Sequence, residues 1–137
     1  MPNLPKIFET VIYADDLDAA KDFYTQVMGL HLLSHNDLML VFEIKESYLL
    51  VFNPSKSSVG GRQVPSHGTH GQGHIAFVIT EAEQKTWRSR LAEAGIEIES
   101  EVSWDNGARG TSIYFRDPAG NSIELAPPNL WSYLKNP

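Results

Sequence analysis

The chain repeats one order of elements, strand, helix and three strands, within its 137 residues. The first copy opens with ETVIYADD, a run rich in β-branched and aromatic residues, and the second opens with HIAFVIT. Each opening strand is followed by a helical pattern and a glycine: Glu9 precedes Gly29 by 20 residues, and His74 precedes Gly95 by 21. The copies therefore align with Glu9 opposite His74. A repeat of this size predicts two similar half-sheets.

Local signals indicate where the helices and turns begin and end. Asp15 or Asp16 is placed to cap the helix in DDLDAAKDFYTQVMGL, and Gly29 is placed to end it in a left-handed conformation. TEAEQKTWRSRLAEAG opens with a capping box from Thr80 to Glu83. The predicted strands that follow the two helices are HLLSH, LMLVFEI and YLLVFNP in the first copy, and IEIESEV, TSIYFRD and NSIELAPP in the second.

These elements predict a single domain over residues 1–137. Module one occupies about 7–54, a Gly-, Ser- and Pro-rich loop 55–72, module two about 73–127 and a tail 128–137. Loops of this length inside a domain are usually functional or mobile.

Composition excludes several classes of function. The net charge is −6 and the basic residues are scattered, which argues against nucleic acid as a partner. No apolar run approaches the roughly 20 residues of a membrane helix, and MPNLPKIFET lacks the features of a secretory signal, so a cytoplasmic location is predicted. The absence of cysteine excludes thiolate ligands and disulfides.

Alternation along the second copy selects the side chains that face away from the helix. Strand residues point to opposite faces in turn. In HIAFVI the bulky Ile75, Phe77 and Ile79 are predicted to pack under the helix, which leaves His74 on the opposite, concave face. The same rule places Glu124 of NSIELA on that face.

Glu9 occupies the matching position of the first copy, so three potential ligands are predicted to converge: Glu9, His74 and Glu124. Two inward carboxylates beside a histidine repel each other unless one holds a proton or a cation lies between them. One nitrogen and two carboxylates suit Mn²⁺, Fe²⁺, Ni²⁺ or Zn²⁺, with positions left for water or substrate.

The sequence resembles the vicinal oxygen chelate superfamily, which includes glyoxalase I, bleomycin-resistance proteins, fosfomycin-resistance enzymes and extradiol dioxygenases. The resemblance extends over about 7–127 and rests on ETVIYADDLDAAKDFYTQVMGL, GHIAFVIT and YFRDPAGNSIEL. It implies an α+β fold of two βαβββ modules that form a curved mixed sheet around a concave site. It also implies metal ligands at Glu9, His74 and Glu124, a small-molecule substrate and a homodimer.

The resemblance implies a divalent-metal-dependent lyase, isomerase or transferase that acts on an oxygen-chelating substrate, with Glu9 or Glu124 as the catalytic base. One departure concerns the fourth ligand of glyoxalase I, a glutamate that would fall here on Leu49 or Leu50. Alternative functions are drug binding without chemistry, as in bleomycin-resistance proteins, and ring cleavage by a dioxygenase. One histidine with two carboxylates is atypical for Fe²⁺ oxygenases, whose usual triad has two histidines.

Each candidate residue also has a structural interpretation. His74 could bond a backbone carbonyl within the core, and Glu9 and Glu124 could form ion pairs with Arg109 or Arg116. The tract HGTHGQGH offers His67 and His70 as rival metal ligands, but its glycines indicate a loop. We expect these two histidines to be solvated or to belong to a lid.

Overall fold

The computed structural model describes residues 1–135 and separates the chain into two units. The first comprises Met1–Gly73 with Pro118–Gly120, and the second comprises His74–Asp117 with Asn121–Pro137. Each unit contains one four-stranded mixed sheet, with the order β1-β4-β3-β2 in the first and β5-β8-β7-β6 in the second. The predicted α+β fold of two βαβββ modules is confirmed.

The first unit contains four strands and two short α-helices, the first of which continues as a π-helix. Their bounds are β1 Glu9–Tyr13, α1 Leu17–Asp22, the π-helix Phe23–Val27, β2 His31–His35, β3 Met39–Ile44, β4 Ser47–Phe52 and α2 Pro54–Ser57.

Short-range signals account for the ends of α1. The Asp16 carboxylate accepts a hydrogen bond from the Ala19 backbone N–H at 3.0 Å, which satisfies one of the free donors at the helix start. Gly29 follows with φ of 72°. Thr25 donates its hydroxyl hydrogen to the Lys21 carbonyl at 2.7 Å, within the π-helical turn. Such a side-chain bond competes with the backbone ladder and accompanies bends in helices.

The second unit follows the same plan. Its elements are β5 His74–Val78, a 3₁₀ turn Glu81–Glu83, α3 Gln84–Glu93, β6 Ser100–Ser103, a 3₁₀ turn Trp104–Gly107, β7 Thr111–Arg116, β8 Ser122–Ala126 and a 3₁₀ turn Ser132–Lys135. The predicted capping box forms, since the Thr80 backbone N–H donates to Glu83 Oε1 at 2.8 Å. Gly95 has the same φ, 72°, as Gly29.

The two faces of the second sheet differ as alternation predicts. One face supplies fully buried side chains to the core: Ile113, Phe115, Ile123 and Leu125, together with Leu91 of α3. Burial of each such side chain stabilises the fold by roughly 1.5 to 3 kcal/mol. The opposite face carries His74, Ala76 and Val78, all exposed along β5. The candidate site lies on this exposed face.

Two segments differ from the sequence-based expectation. The strand predicted over IEIESEV is limited to Ser100–Ser103, because the Ile96 backbone N–H is used to close the end of α3 on the Leu91 carbonyl, at 2.8 Å. The loop after β4 begins with α2, which Asn53 caps by accepting from the Ser55 N–H at 3.0 Å. Within residues 1–135, no helix combines the length and apolarity needed to cross a bilayer.

Candidate metal centre

His74 and Glu124 meet on the open face of the second sheet. Strands β5 and β8 run parallel, and their register pairs His74 with Ser122 and Ala76 with Glu124. The imidazole and the carboxylate therefore belong to the same face, and His74 Nε2 lies 3.2 Å from Glu124 Oε1. The sequence prediction that these two residues converge is in accord with this distance.

The other imidazole nitrogen determines which tautomer of His74 is present. Nδ1 lies 3.1 Å from the Ser122 carbonyl oxygen and 3.3 Å from the Ser122 hydroxyl. A carbonyl oxygen only accepts, so Nδ1 carries the hydrogen and neutral His74 presents a lone pair at Nε2. His74 does bond a backbone carbonyl, but its side chain is exposed and does not lie in the core, and this bond directs Nε2 toward Glu124.

The Glu124 carboxylate is buried, with 5% of the residue exposed. Ser112 of β7 donates its hydroxyl hydrogen to Glu124 Oε2 at 2.5 Å. The Trp104 indole N–H donates in turn to the Ser112 hydroxyl oxygen at 2.8 Å. One carboxylate oxygen is thus held by a short chain of donors, while the other faces His74.

Tyr114 lies across from Glu124 on β7 and completes the polar cluster. Its ring stacks on the His74 ring with 6.3 Å between centroids. Burial, reinforced by the negative charge of Glu124, raises the pKa of the Tyr114 phenol above its ordinary value of 10.0. Tyr114 is therefore a neutral phenol at physiological pH.

A groove of about 540 Å³ opens beside this cluster, a size typical of small-molecule sites. His74 and Glu124 form its polar end, and Lys135 adds a positive charge. The remaining lining is mostly apolar and comes from β5, the end of β8 and the segment after it: Ala76, Phe77, Val78, Ala126, Pro127, Pro128, Leu130, Trp131 and Ser132.

Glu9 belongs to the first unit, where it begins β1 as an exposed residue paired with Tyr48 across the sheet. Leu50 is the register counterpart of Glu124 in that unit, because it pairs with Val11 as Glu124 pairs with Ala76. Among residues 1–135, no three His, Asp or Glu side chains are grouped so as to hold a metal ion. Ligation by Glu9 together with His74 and Glu124 stays a prediction.

The arginines that could have neutralised the carboxylates bond elsewhere. Arg116 pairs with Glu99 through two bonds of 3.0 and 3.3 Å. Arg109 donates to the Leu130 carbonyl at 2.9 Å and places its guanidinium 4.3 Å from the centroid of the Tyr133 ring. The Glu124 carboxylate instead accepts from Ser112 and faces His74.

The histidines of the loop belong to the first unit and contact other residues of it. His67 Nδ1 lies 2.7 Å from the Tyr13 hydroxyl, and its ring meets the Phe52 ring edge-on at 4.7 Å between centroids. His70 Nδ1 lies 3.3 Å from an Asp15 carboxylate oxygen, and both side chains are mostly exposed. His67 is therefore attached to β1 and β4, while His70 is a surface residue.

Sequence reasoning missed Ser112 and Trp104. The sequence does indicate Ser112, because this residue shares a face with Tyr114 and alternates with the apolar Ile113. Glu124 alternates with Leu125 in the same way. The orientation of Trp104 depends on the turn that follows it, for which the local pattern gives no comparable signal.

Comparison with known proteins agrees with this fold. Residues 6–125 match the family described as the Glyoxalase/Bleomycin resistance protein/Dioxygenase superfamily. The chain belongs to this superfamily. Among solved structures, lactoylglutathione lyase from Agrobacterium tumefaciens is 39% identical, with a TM-score of 0.88 over 95% of this chain and 98% of that one. The fosfomycin resistance protein FosX from Listeria monocytogenes, at 19% identity, shares the fold with a TM-score of 0.74 over 98% of this chain and 100% of that one.

Two curated members of the superfamily are also similar in sequence. Biphenyl-2,3-diol 1,2-dioxygenase 3 from Rhodococcus globerulus is 30% identical over 129 residues, which are 92% of this chain and 65% of the dioxygenase. The metallothiol transferase FosB from Bacillus licheniformis is 27% identical over 120 residues, which are 88% of this chain and 73% of the transferase. This chain thus spans less than two thirds of the dioxygenase.

Proposed function

We propose that the protein is a divalent-metal-dependent enzyme of lyase, isomerase or transferase type that acts on a small oxygen-chelating substrate. The observation that carries this proposal is the 3.2 Å distance between His74 Nε2 and Glu124 Oε1, with Nδ1 turned to a carbonyl. In the neutral imidazole two lone pairs face each other, which is unfavourable unless a proton or a cation lies between them.

The donor set fits a divalent ion. The 3.2 Å between Nε2 and Oε1 would allow both atoms to bind one ion at ordinary ligand distances of about 2.0 to 2.2 Å. The Nδ1 bond to the Ser122 carbonyl is the kind of outer contact that orients a metal-bound histidine. Glu9 is the proposed third ligand, and the set of one nitrogen and two carboxylates suits Mn²⁺, Fe²⁺, Ni²⁺ or Zn²⁺.

When bound, the ion would act as a Lewis acid toward two neighbouring substrate oxygens. The chain would supply the proton transfer. Glu124 is buried, accepts from Ser112 and faces His74, whereas Glu9 is exposed at the start of its strand. We therefore assign the role of catalytic base to Glu9 in preference to Glu124, and Glu9 would leave the ion in order to take the proton.

The groove favours a substrate with an apolar body. Val78 and Trp131 line it with 69% and 60% of their surface exposed. Exposed apolar surface in a groove is typical of a site that a ligand covers. Lys135 would meet a negative group of such a molecule. The 39% identity to a lactoylglutathione lyase along almost its whole length supports the lyase type.

The test combines metal analysis with activity. Protein purified without chelator is expected to carry about one transition-metal ion per chain, and Glu124→Gln and His74→Ala are expected to lose it. His35→Ala, which changes an exposed strand histidine of the first unit, is the matched control. Activity is measured on lactoylglutathione and on biphenyl-2,3-diol, the compounds in the names of two relatives. Metal content that is unchanged in both site variants would refute the proposal.

The exposed apolar lining also favours a second candidate, a binding protein that performs no chemistry. In that case metal-free protein would bind planar aromatic compounds, and quenching of Trp131 fluorescence would report the binding. Ring cleavage is the third candidate, and release of a coloured ring-opened product from biphenyl-2,3-diol in the presence of Fe²⁺ and oxygen would identify it.

We also expect a homodimer. The apolar side chains Leu33, Trp131 and Leu134 are each about half exposed or more in the single chain, and burial against a second copy would remove them from water. Sedimentation equilibrium should give twice the 15.3 kDa chain mass. A monomer at all concentrations would exclude the dimer and leave the metal centre untouched.

A further inference from the structure

We propose that Ser112, itself oriented by Trp104, is a positioning residue that holds the Glu124 carboxylate ready to bind a cation. This inference rests on the proposed function. It assigns roles to two side chains that do not themselves contact the ion.

The Ser112 hydroxyl accepts from one partner and donates to another. An indole N–H is a donor and never an acceptor, so the bond from Trp104 Nε1 uses a lone pair of the Ser112 oxygen. The single hydroxyl hydrogen is then given to Glu124 Oε2, at 2.5 Å. Trp104 thereby fixes one lone pair of the Ser112 oxygen while its hydrogen is directed to Glu124.

The bond from Ser112 acts selectively on one carboxylate oxygen. A short hydrogen bond to an ionised acceptor is about twice as strong as a neutral one. With Oε2 occupied by Ser112, Oε1 remains directed at His74 Nε2, 3.2 Å away. Ser112 is fully buried, so in the folded protein its hydroxyl is shielded from solvent.

The backbone around Trp104 maintains this orientation. Asp105 and Asn106 adopt left-handed conformations, with φ of 52° and 51°, a region in which residues other than glycine are uncommon. The Trp104 backbone N–H donates to the Gly110 carbonyl at 2.9 Å, and the Trp104 carbonyl accepts from Arg109 at 3.2 Å. Aspartate and asparagine adopt this conformation more readily than other non-glycine residues, so the turn suits its sequence.

The test measures metal affinity and the ligand field in four proteins: wild type, Ser112→Ala, Ser112→Thr and Trp104→Phe. Mn²⁺ binding is measured by competition with a chelating dye, and Co²⁺ is added to record the visible absorption bands. We expect Ser112→Ala to bind Mn²⁺ roughly 10- to 100-fold more weakly, in the range for loss of an outer-shell partner, with shifted Co²⁺ bands.

The other two variants separate positioning from folding. Ser112→Thr keeps the hydroxyl and should restore affinity to within a few-fold of wild type, and Trp104→Phe should weaken binding less than Ser112→Ala. Ser103→Ala is the matched control, because its hydroxyl lies 3.2 Å from that of Thr111 in the same sheet. Circular dichroism confirms that each variant is folded.

Two results would overturn the inference, and they are distinguishable. If wild type binds Mn²⁺ and Ser112→Ala binds it equally well with unchanged Co²⁺ bands, Ser112 is merely structural while the metal centre stands. If wild type binds neither ion, the proposed function fails and the inference fails with it. If the Ser112→Ala protein does not fold, the Trp104→Phe protein provides the test. Unchanged Mn²⁺ affinity and Co²⁺ bands in Trp104→Phe would refute the role of the indole.

Discussion

Replacement of Gly110 by alanine tests how tightly the second unit is packed behind the groove. Gly110 has φ of 86°, and a Cβ atom there would lie 2.5 Å from Cβ of Pro127, a ring with no freedom to move aside. The left-handed conformation costs an alanine about 1 to 2 kcal/mol, and overpacking adds about 1 to 3 kcal/mol. We expect Gly110→Ala to lower the free energy of unfolding by about 2 to 5 kcal/mol.

Gly107→Ala is the matched control, because Gly107 has φ of 93° in the preceding turn and a Cβ there would meet nothing within 4 Å. Gly107→Ala should lower the free energy of unfolding only by the cost of the left-handed conformation, about 1 to 2 kcal/mol. Urea unfolding of both variants, followed by circular dichroism, gives the difference between their free energies of unfolding. The comparison requires that the slope of this free energy against urea concentration is the same in both. Equal losses would refute the close approach of Gly110 to Pro127.

Two further predictions concern other parts of the second unit. The bond from the Thr80 backbone lowers the pKa of Glu83 below 4.5, so this carboxylate stabilises the folded protein fully above pH 4.5 and less as the pH falls through the lowered pKa. Thermal unfolding should therefore show Glu83→Gln less stable than wild type at pH 7 and nearly equal to it near pH 2, whereas a difference independent of pH would contradict this. Arg109→Met removes the bond to Leu130 and the contact with Tyr133. Chymotrypsin should therefore cleave the C-terminal segment several-fold faster, as followed by mass spectrometry. An unchanged rate of cleavage would show that Arg109 does not hold the segment.

The fold was predictable because its signals are local and occur twice. The cap at Asp16 and the capping box of Thr80 and Glu83 involve neighbours within three residues, so no tertiary information is needed to recognise them. The left-handed Gly29 and Gly95 end equivalent helices. Alternation then assigns each strand residue to a face, and that assignment is independent of how the sheet is covered.

The candidate site was predictable only in part. His74 and Glu124 could be placed together because adjacent parallel strands bring same-face residues into register. Ile96 was assigned to a strand because IEIESEV alternates, but its N–H closes the preceding helix instead. Trp104 lies in a turn, and its indole bonds the Ser112 hydroxyl eight residues further along the chain, a side-chain contact that periodicity does not encode.

The most direct test of the metal centre is a crystal structure of protein soaked with Mn²⁺, recorded with anomalous data. The proposed centre predicts one strong anomalous peak roughly 2.0 to 2.3 Å from His74 Nε2, a Glu124 carboxylate oxygen and a Glu9 carboxylate oxygen. The absence of a peak at His74 and Glu124 would contradict the account. A peak there without any carboxylate of Glu9 would remove the third ligand and the base assigned to it.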